Sequence, residues 1–327
     1  MRVIGLMSGT SMDGIDAAIL ETDGEEICAF GATHFRPYSD KEREAIRGTV
    51  KAASHLKDHA AADGLFSQSE EIVTRAHIEA VESVRQNLPV SDSKIDLIGF
   101  HGQTILHRPE AHLTIQLGFG DVLANETGLD VVYDFRSADV AVGGEGAPLV
   151  PVYHRALAHY AAFDLPVVFV NIGGVANVTW IGEGDNMLAF DTGTGNALLD
   201  DWIRRHTGES FDDDGRIASA GTVDEAVLAT LMDNPYFAKK PPKSLDRNAF
   251  DVSCLEKLSV ENGAATLVSF TAHSITKASA HFPKSPLRWI VVGGGTRNPA
   301  IMTALSGLLD TPVESAKTFG WQPDYIE

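Results

Sequence analysis

The chain is poor in cysteine: Cys28 and Cys254 are its only two in 327 residues. That is too few for a disulfide framework or a thiolate zinc site, and both are expected to fill core positions. Long apolar runs are missing too, and none approaches the roughly 20 residues of a membrane span. The apolar start Met1-Arg2-Val3-Ile4-Gly5-Leu6-Met7 meets Asp13 and Asp16 before a signal-peptide core could finish, so a cytoplasmic location is expected. Positive charge is scarce, with 26 Lys and Arg against 45 Asp and Glu and a net charge of −19. A surface of that sign repels nucleic acid and anionic membranes, and neither is an expected partner. An anionic small molecule remains open if local cations, backbone N–H groups or a metal ion offset the field; solubility alone is the plainer reading of the charge. Two common nucleotide signatures are absent. No GxxxxGK[ST] string occurs, and neither Gly144-Glu145-Gly146 nor Gly118-Phe119-Gly120 gains the third glycine of a dinucleotide fingerprint.

What is present reads as an α/β chain long enough for two lobes. Strands are expected at 2–6, 15–21, 95–100, 113–117, 130–133, 166–171, 176–181 and 289–292. Helices are expected at 40–51, 67–86, 121–127, 151–162, 197–206, 224–233, 264–279 and 299–309, with a loop over 234–245. In the second helix Ile72, Ala76, Ala80 and Val84 mark one face. The glycine-bearing loop that starts at Asp134 divides the chain into 1–133 and 134–327.

Three glycine turns each follow an apolar strand. Two are hairpins, Ser8 to Gly14 and Gly173-Gly174, able to offer consecutive backbone N–H groups to phosphate oxygens. The third, Gly293-Gly294-Gly295, joins a strand to a helix and would let a nucleotide lie flat on the backbone. Two phosphate hairpins and a late adenosine turn are the layout of the actin/hexokinase-like ATPases. Asp13, in the first turn, is a candidate Mg²⁺ ligand beside phosphate, or an Asx-turn. Thr10 and Ser11 would donate to phosphate or cap the turn. Asp191, at a strand end before Gly193-Thr194-Gly195, suits a general base; Asn196 is better placed than Asp191 to cap the helix that follows. Arg136 would grip a carboxylate or phosphate, or pair with Asp139 to hold its loop. His101, Gln103 and Thr104 end a buried strand as sugar-hydroxyl ligands would, although His101 also suits a satisfied core position. Lys243, Asp246 and Arg247 read as a solvated loop able to cover a ligand.

Gly5-Leu6-Met7-Ser8-Gly9-Thr10-Ser11-Met12-Asp13-Gly14 resembles the N-terminal signature of the anhydro-N-acetylmuramic acid kinases. So do His101-Gly102-Gln103-Thr104, Asp134-Phe135-Arg136, Gly143-Gly144-Glu145-Gly146-Ala147-Pro148-Leu149, Asn171-Ile172-Gly173-Gly174-Val175-Ala176-Asn177 and Phe190-Asp191-Thr192-Gly193. Ala265-Thr266, Phe270-Thr271-Ala272 and the turn Gly293-Gly294-Gly295 with Asn298 match as well. The resemblance implies a two-lobed actin/hexokinase-like (ribonuclease H-like) ATPase fold with duplicated βββαβα-type domains. It implies ATP and Mg²⁺ as cofactors, with water opening 1,6-anhydro-N-acetylmuramic acid as O6 takes the γ-phosphoryl group, a step in peptidoglycan recycling. ATP would lie on Gly9, Thr10, Ser11, Met12, Asp13, Gly14, Asp16, Gly173, Gly174, Gly293, Gly294, Gly295 and Asn298. The sugar would meet His101, Gln103, Thr104, Arg136 and Glu327, with Asp191 as base. Three departures stand out: Thr194 where the family usually has proline, Glu145 where it has glutamine, and an end at Glu327 where relatives continue into a helix. A levoglucosan kinase and an actin-like ATP-binding protein without turnover are the rival readings, and a homodimer is left open.

Overall fold

β-branched and aliphatic residues bring the first segments together as a meander. β1 (Arg2–Ser8), β2 (Gly14–Thr22) and β3 (Ile27–Pro37) pair antiparallel in sequence order. After α1 (Asp40–Ala53) and α2 (Ser67–Gln86), β4 (Leu97–Arg108) returns parallel to β1. The second half of β4 pairs antiparallel with β5 (Leu113–Leu117). Its first half pairs parallel with β6 (Val131–Tyr133), which follows α3 (Gly120–Thr127). A short helix, α4 (Ser137–Ala141), comes after β6. This computed structural model describes residues 1–9, 11–57, 64, 66–88, 94–245 and 249–326.

The same order recurs in the second half. α5 (Pro151–Tyr160) leads into β7 (Val167–Ile172), β8 (Val175–Ile181) and β9 (Met187–Thr194), again an antiparallel meander. The helices α6 (Ala197–Thr207), α7 (Arg216–Ala220), α8 (Glu225–Met232) and α9 (Val260–Lys277) follow. β10 (Arg288–Val292) then lies parallel to β7, and past α10 (Pro299–Leu308) the strand β11 (Val313–Ser315) lies parallel to β10. Reading β3-β2-β1-β4-β6 against β9-β8-β7-β10-β11 gives one topology twice. The turns β1–β2 and β7–β8 therefore occupy equivalent places, each at the carboxyl end of a central strand. The chain splits into two units, Met1–Ala147 and Pro148–Glu327. The segment 134–147, grouped with the second lobe by the sequence, is thus counted with the first unit.

Each unit has its own core. In the first, Ile4, Ile15, Ile98 and Phe100 pack with Val73, Ala76, Ala80 and Val84 of α2. Val73 takes the buried position expected of Ile72, which stays half-buried, because 73, 76, 80 and 84 trace the inward stripe. In the second, Val170, Phe190 and Trp289 pack with Phe270 and its neighbours on α9. All six residues of β7 are buried, as in a sheet covered on both faces. Among the described residues no helix is long and apolar enough to cross a membrane.

Several local expectations need correction. Cys28 is exposed on β3 rather than in the core, and Cys254 is half-buried. β3 and β11 were not expected: mixed polar sequence hides β3, which has one clear buried position, Ile27. β4 does not stop at Phe100 but runs on to Arg108, because β5 pairs with its extension, so His101, Gln103 and Thr104 sit within a strand. Asp191 likewise lies inside β9, not at its end.

Two histidines are sealed in the cores. His154 stacks on Phe169 at 4.7 Å and bonds Thr179 Oγ1 through Nδ1 at 2.9 Å. Burial pushes its imidazole from 6.5 down to about 3; burial likewise pushes His77 down to about 4. The unfolded chain thus takes up protons more readily than the native one below about pH 6.5. Stability from these groups is full above that pH and declines as the pH falls toward their native values. We expect urea midpoints to drop over this window, with a shallower drop in His154→Phe; an identical pH slope in the variant would contradict the assignment.

Candidate active site

In the second unit three predicted pieces meet at the carboxyl ends of β7 and β10. The start of α6 donates into the β7–β8 turn: Asn196 N to Gly173 O at 2.7 Å, and Gly195 N and Ala197 N to Gly174 O at 3.0 and 3.2 Å. Asn196 Nδ2 adds a bond to Ile172 O at 3.1 Å. These peptides are trans, and a trans peptide holds its N–H opposite its carbonyl. The N–H groups of Gly173 and Gly174 therefore face away from α6, together, as an anion nest requires. The Gly293–Gly295 turn rests on the base of this hairpin. A Cβ at Gly293 would run into Asn171 Oδ1 and one at Gly295 into the Ile172 side chain, and Gly293 also has φ +77°.

Asp191 lies on β9, four residues before Gly195. Its N–H donates to Lys243 O at 3.2 Å, its carbonyl accepts from the Tyr236 hydroxyl at 2.7 Å, and its Oδ2 accepts from Leu245 N at 2.8 Å. The segment 236–245 is thus a strap along the edge strand rather than a solvated loop. Lys243 Nζ lies 4.6 Å from the centre of the Tyr236 ring and 5.4 Å from that of Phe190. Burial, then the like charge of Lys239, lowers the Lys243 pKa, and the charge of Asp191 opposes the shift. Sequence reading missed Tyr236 and Leu245 as partners of Asp191, because nothing local in the strap marks it as packed.

In the first unit the turn after β1 is held from several sides. Ser8 Oγ donates to Gln103 Oε1 at 2.7 Å and lies 3.1 Å from the Tyr38 hydroxyl. Gln103 Nε2 donates to Gly9 O at 3.2 Å and Thr104 O at 3.3 Å. Tyr38 N donates to Asp13 O at 2.9 Å, and Arg43 Nε to Met12 O at 3.1 Å, where Met12 has φ +54°. Asp13 is exposed and takes a bond from Ser11 Oγ at 2.6 Å. Gln103, expected to hold sugar, is 1 % exposed and spends both ends of its amide on the turn and its own strand.

His101 Nδ1 bonds Gly102 O at 2.8 Å, so Nδ1 carries the proton and Nε2 accepts from Arg136 Nη2 at 2.8 Å. Burial first, then Arg136, pushes this imidazole down to about 4. Arg136 Nη1 also donates to Gly146 O at 2.6 Å, while Asp139 Oδ2 accepts from Gly146 N at 2.7 Å. Asn298 caps α10 by accepting from Ala300 N at 3.0 Å and Ile301 N at 3.4 Å. The side chain of Asn196, by contrast, does not cap α6, being turned to Ile172 O. Asp16 sits on β2 opposite Met7. Thr10, Glu327, Asp246 and Arg247 lie outside the described residues.

The glycines of these turns fall into two kinds. A Cβ at Gly14 would strike Phe35 and Arg36, so packing alone demands glycine there. At Gly9, Gly173 and Gly294 the nearest atoms would be 3.7, 3.6 and 3.6 Å away, ordinary contact distances. We expect Gly14→Ala to lower the melting temperature, while Gly9→Ala stays within about 0.5 kcal/mol of wild type. Calorimetric melting of both variants checks this; equal losses would mean that Gly9 is also a packing glycine.

The sequence profile of the anhydro-N-acetylmuramic acid kinases matches residues 1–327. A curated anhydro-N-acetylmuramic acid kinase of Nitrobacter winogradskyi is 49% identical over 328 residues, covering 100% of this chain and 90% of its own. One from Methylorubrum populi is 46% identical over 336 residues, with 100% and 89% covered. Among solved structures, component A of the Acidaminococcus fermentans (R)-2-hydroxyglutaryl-CoA dehydratase matches with a TM-score of 0.50 at 11% identity, covering 100% of this chain and 94% of its own. A chain of the PilM–PilN type IV pilus biogenesis complex matches with a TM-score of 0.53 at 10% identity, covering 99% and 95%. At such identities these likenesses carry the fold alone, that of the actin/hexokinase-like ATPases. With the profile matching residues 1–327 and relatives near half-identical, the chain belongs to the anhydro-N-acetylmuramic acid kinase family.

Proposed function

We propose that the chain uses ATP and water to convert 1,6-anhydro-N-acetylmuramic acid into N-acetylmuramic acid 6-phosphate and ADP, in cytoplasmic recycling of peptidoglycan. The observation that carries this reading is Asp191. Its carboxylate is fixed by the Leu245 N–H and its main chain by Tyr236 and Lys243, in the same unit as the outward N–H groups of Gly173 and Gly174. A held carboxylate and an anion nest are what a base and a phosphoryl group require.

The steps balance as follows. Asp191 takes a proton from water, whose oxygen bonds the anomeric carbon while the bond from that carbon to the bridging oxygen breaks. The bridging oxygen, now O6, bonds the γ-phosphorus of ATP as the bond to the β,γ-bridging oxygen breaks and ADP leaves. Backbone N–H groups at Gly173 and Gly174 stabilise the phosphoryl oxygens. Among the described residues no cluster of three or more His, Cys, Asp or Glu could hold a metal ion. A lone exposed carboxylate at Asp13 instead fits Mg²⁺, which binds through one or two carboxylates plus phosphates. When bound it supplies charge neutralisation on the phosphates. Arg136 gives the lactyl carboxylate a cationic partner, which levoglucosan lacks the group to use.

ADP release with each anhydro-sugar tests the substrate: the lactyl-bearing sugar should turn over and levoglucosan should not. Asp191→Asn should lower kcat by about 10²–10⁴-fold with both ligands still bound, as for a lost general base. Near-wild-type turnover would remove Asp191 from the reaction. Gly9→Val should weaken ATP binding in calorimetry while leaving the sugar's affinity unchanged, since a Cβ there comes no nearer than 3.7 Å to Ser11 Oγ and the turn itself need not shift.

A further inference from the structure

Opposite Asp191 on the neighbouring strand stands Asn177, which the reaction above does not use. β8 and β9 pair with a register shift: Ala176 faces Gly193 and Asn177 faces Asp191, leaving Thr192 as an extra residue. Such a bulge re-aims side chains and recurs beside active sites. Directly opposed residues of an antiparallel pair share a face, their Cβ atoms about 4.5–5.5 Å apart. Val178 and Phe190, the next opposed pair, are both in the core, so Asn177 and Asp191 share the other face. Asn177 Oδ1 is enclosed by protein and has no hydrogen-bond partner among the described residues. An unmet buried acceptor of this kind costs about 1–3 kcal/mol. A hydrophobic side chain would avoid that cost, unless something arrives to donate.

We infer that Asn177 is the second acceptor for the water that Asp191 deprotonates. The inference rests on Asp191 as the base. A water has two O–H donors and here meets two acceptors, one a carboxylate that takes its proton and one a neutral amide that does not. With both hydrogens committed, a lone pair of the water oxygen is left to attack. That oxygen bonds the anomeric carbon, one proton passes to Asp191, and the other stays on the new hydroxyl, still donated to Asn177 Oδ1. Asn177 thus aims the nucleophile without competing for its proton.

The test uses the full chain with ATP and the anhydro-sugar. Asn177→Ala should lower kcat by about 10- to 100-fold, the value of one hydrogen bond in the transition state. KM for both ligands should hold within about twofold, because the water is not part of either binding site. Its melting temperature should be unchanged or higher, since a buried unmet acceptor is removed. In an Asp191→Asn background the same change should add less than about threefold, as residues acting on one water are not additive. Asn177→Asp guards against a variant that fails to fold. It places a like charge beside Asp191 and should move the acid limb of kcat to higher pH by about one unit or more. Lys243, a charged group that interacts with Asp191, is present in both proteins. Unchanged kcat in Asn177→Ala, a fall that tracks lost melting temperature, full additivity, or an unmoved acid limb would each overturn the role of Asn177. If Asp191→Asn is inactive in those experiments, the base assignment survives that loss; if Asp191→Asn turns over normally, both assignments fall together.

Discussion

A peptide group points its carbonyl and its N–H in opposite directions, and in the second unit that rule organises the whole site. Three carbonyls of the β7–β8 turn, those of Ile172, Gly173 and Gly174, are taken up by the start of α6. The first N–H groups of a helix lack partners within it and commonly serve an incoming anion directly. Here the turn takes up two of them, those of Asn196 and Ala197. The helix start thus meets the turn's carbonyls, and the N–H groups across those peptides, at Gly173 and Gly174, point the other way. The arrangement leaves no room at Gly195, whose Cβ would collide with Gly173 O. It also sets the position of Asp191, because the strand carrying it ends in the residues that dock on the turn.

The equivalent turn of the first unit is held by side chains instead. Ser8, Gln103, Tyr38 and Arg43 reach the turn from β1, β4, the end of β3 and α1. One topology, repeated, thus presents two hairpin turns stabilised by different chemistry. The duplication is therefore plain in strand order and weak in sequence: only the strand–glycine–strand outline is shared, since the residues that support each turn lie far away along the chain and differ in kind.

That also explains what could be read from sequence. The central strands, both hairpins and the long helices are legible because burial on one or both faces writes a period into the chain; 67–86 and 113–117 match their observed bounds. The edge strands β3 and β11 are not legible, since an edge strand can be short or polar. Asp191 and the glycine turns announce themselves through local strings. Their supports do not: Tyr236 and Leu245 act from some 50 residues away, and Asn177 is defined by a cross-strand register that no string records. Local strings also leave structural roles unread. Gln103 is bonded to the Gly9 turn, Asn298 caps a helix, and Gly14 looks like Gly9 yet is required as glycine by packing.

Arg136 raises the question of how a chain with a net charge of −19 orients a cation. A surrounding acidic surface would draw a free guanidinium to the nearest carboxylate, where exposed pairs form and break at little cost. Two of the partners of Arg136 are neutral acceptors, the carbonyl of Gly146 and the Nε2 of His101. The arrangement works only while His101 is neutral. A protonated ring would turn Nε2 into a donor and set two positive charges against each other. Burial and Arg136 itself hold the His101 pKa down to about 4, and the Gly102 carbonyl keeps the proton on Nδ1. The hold of His101 on the cation is therefore independent of pH across the neutral range.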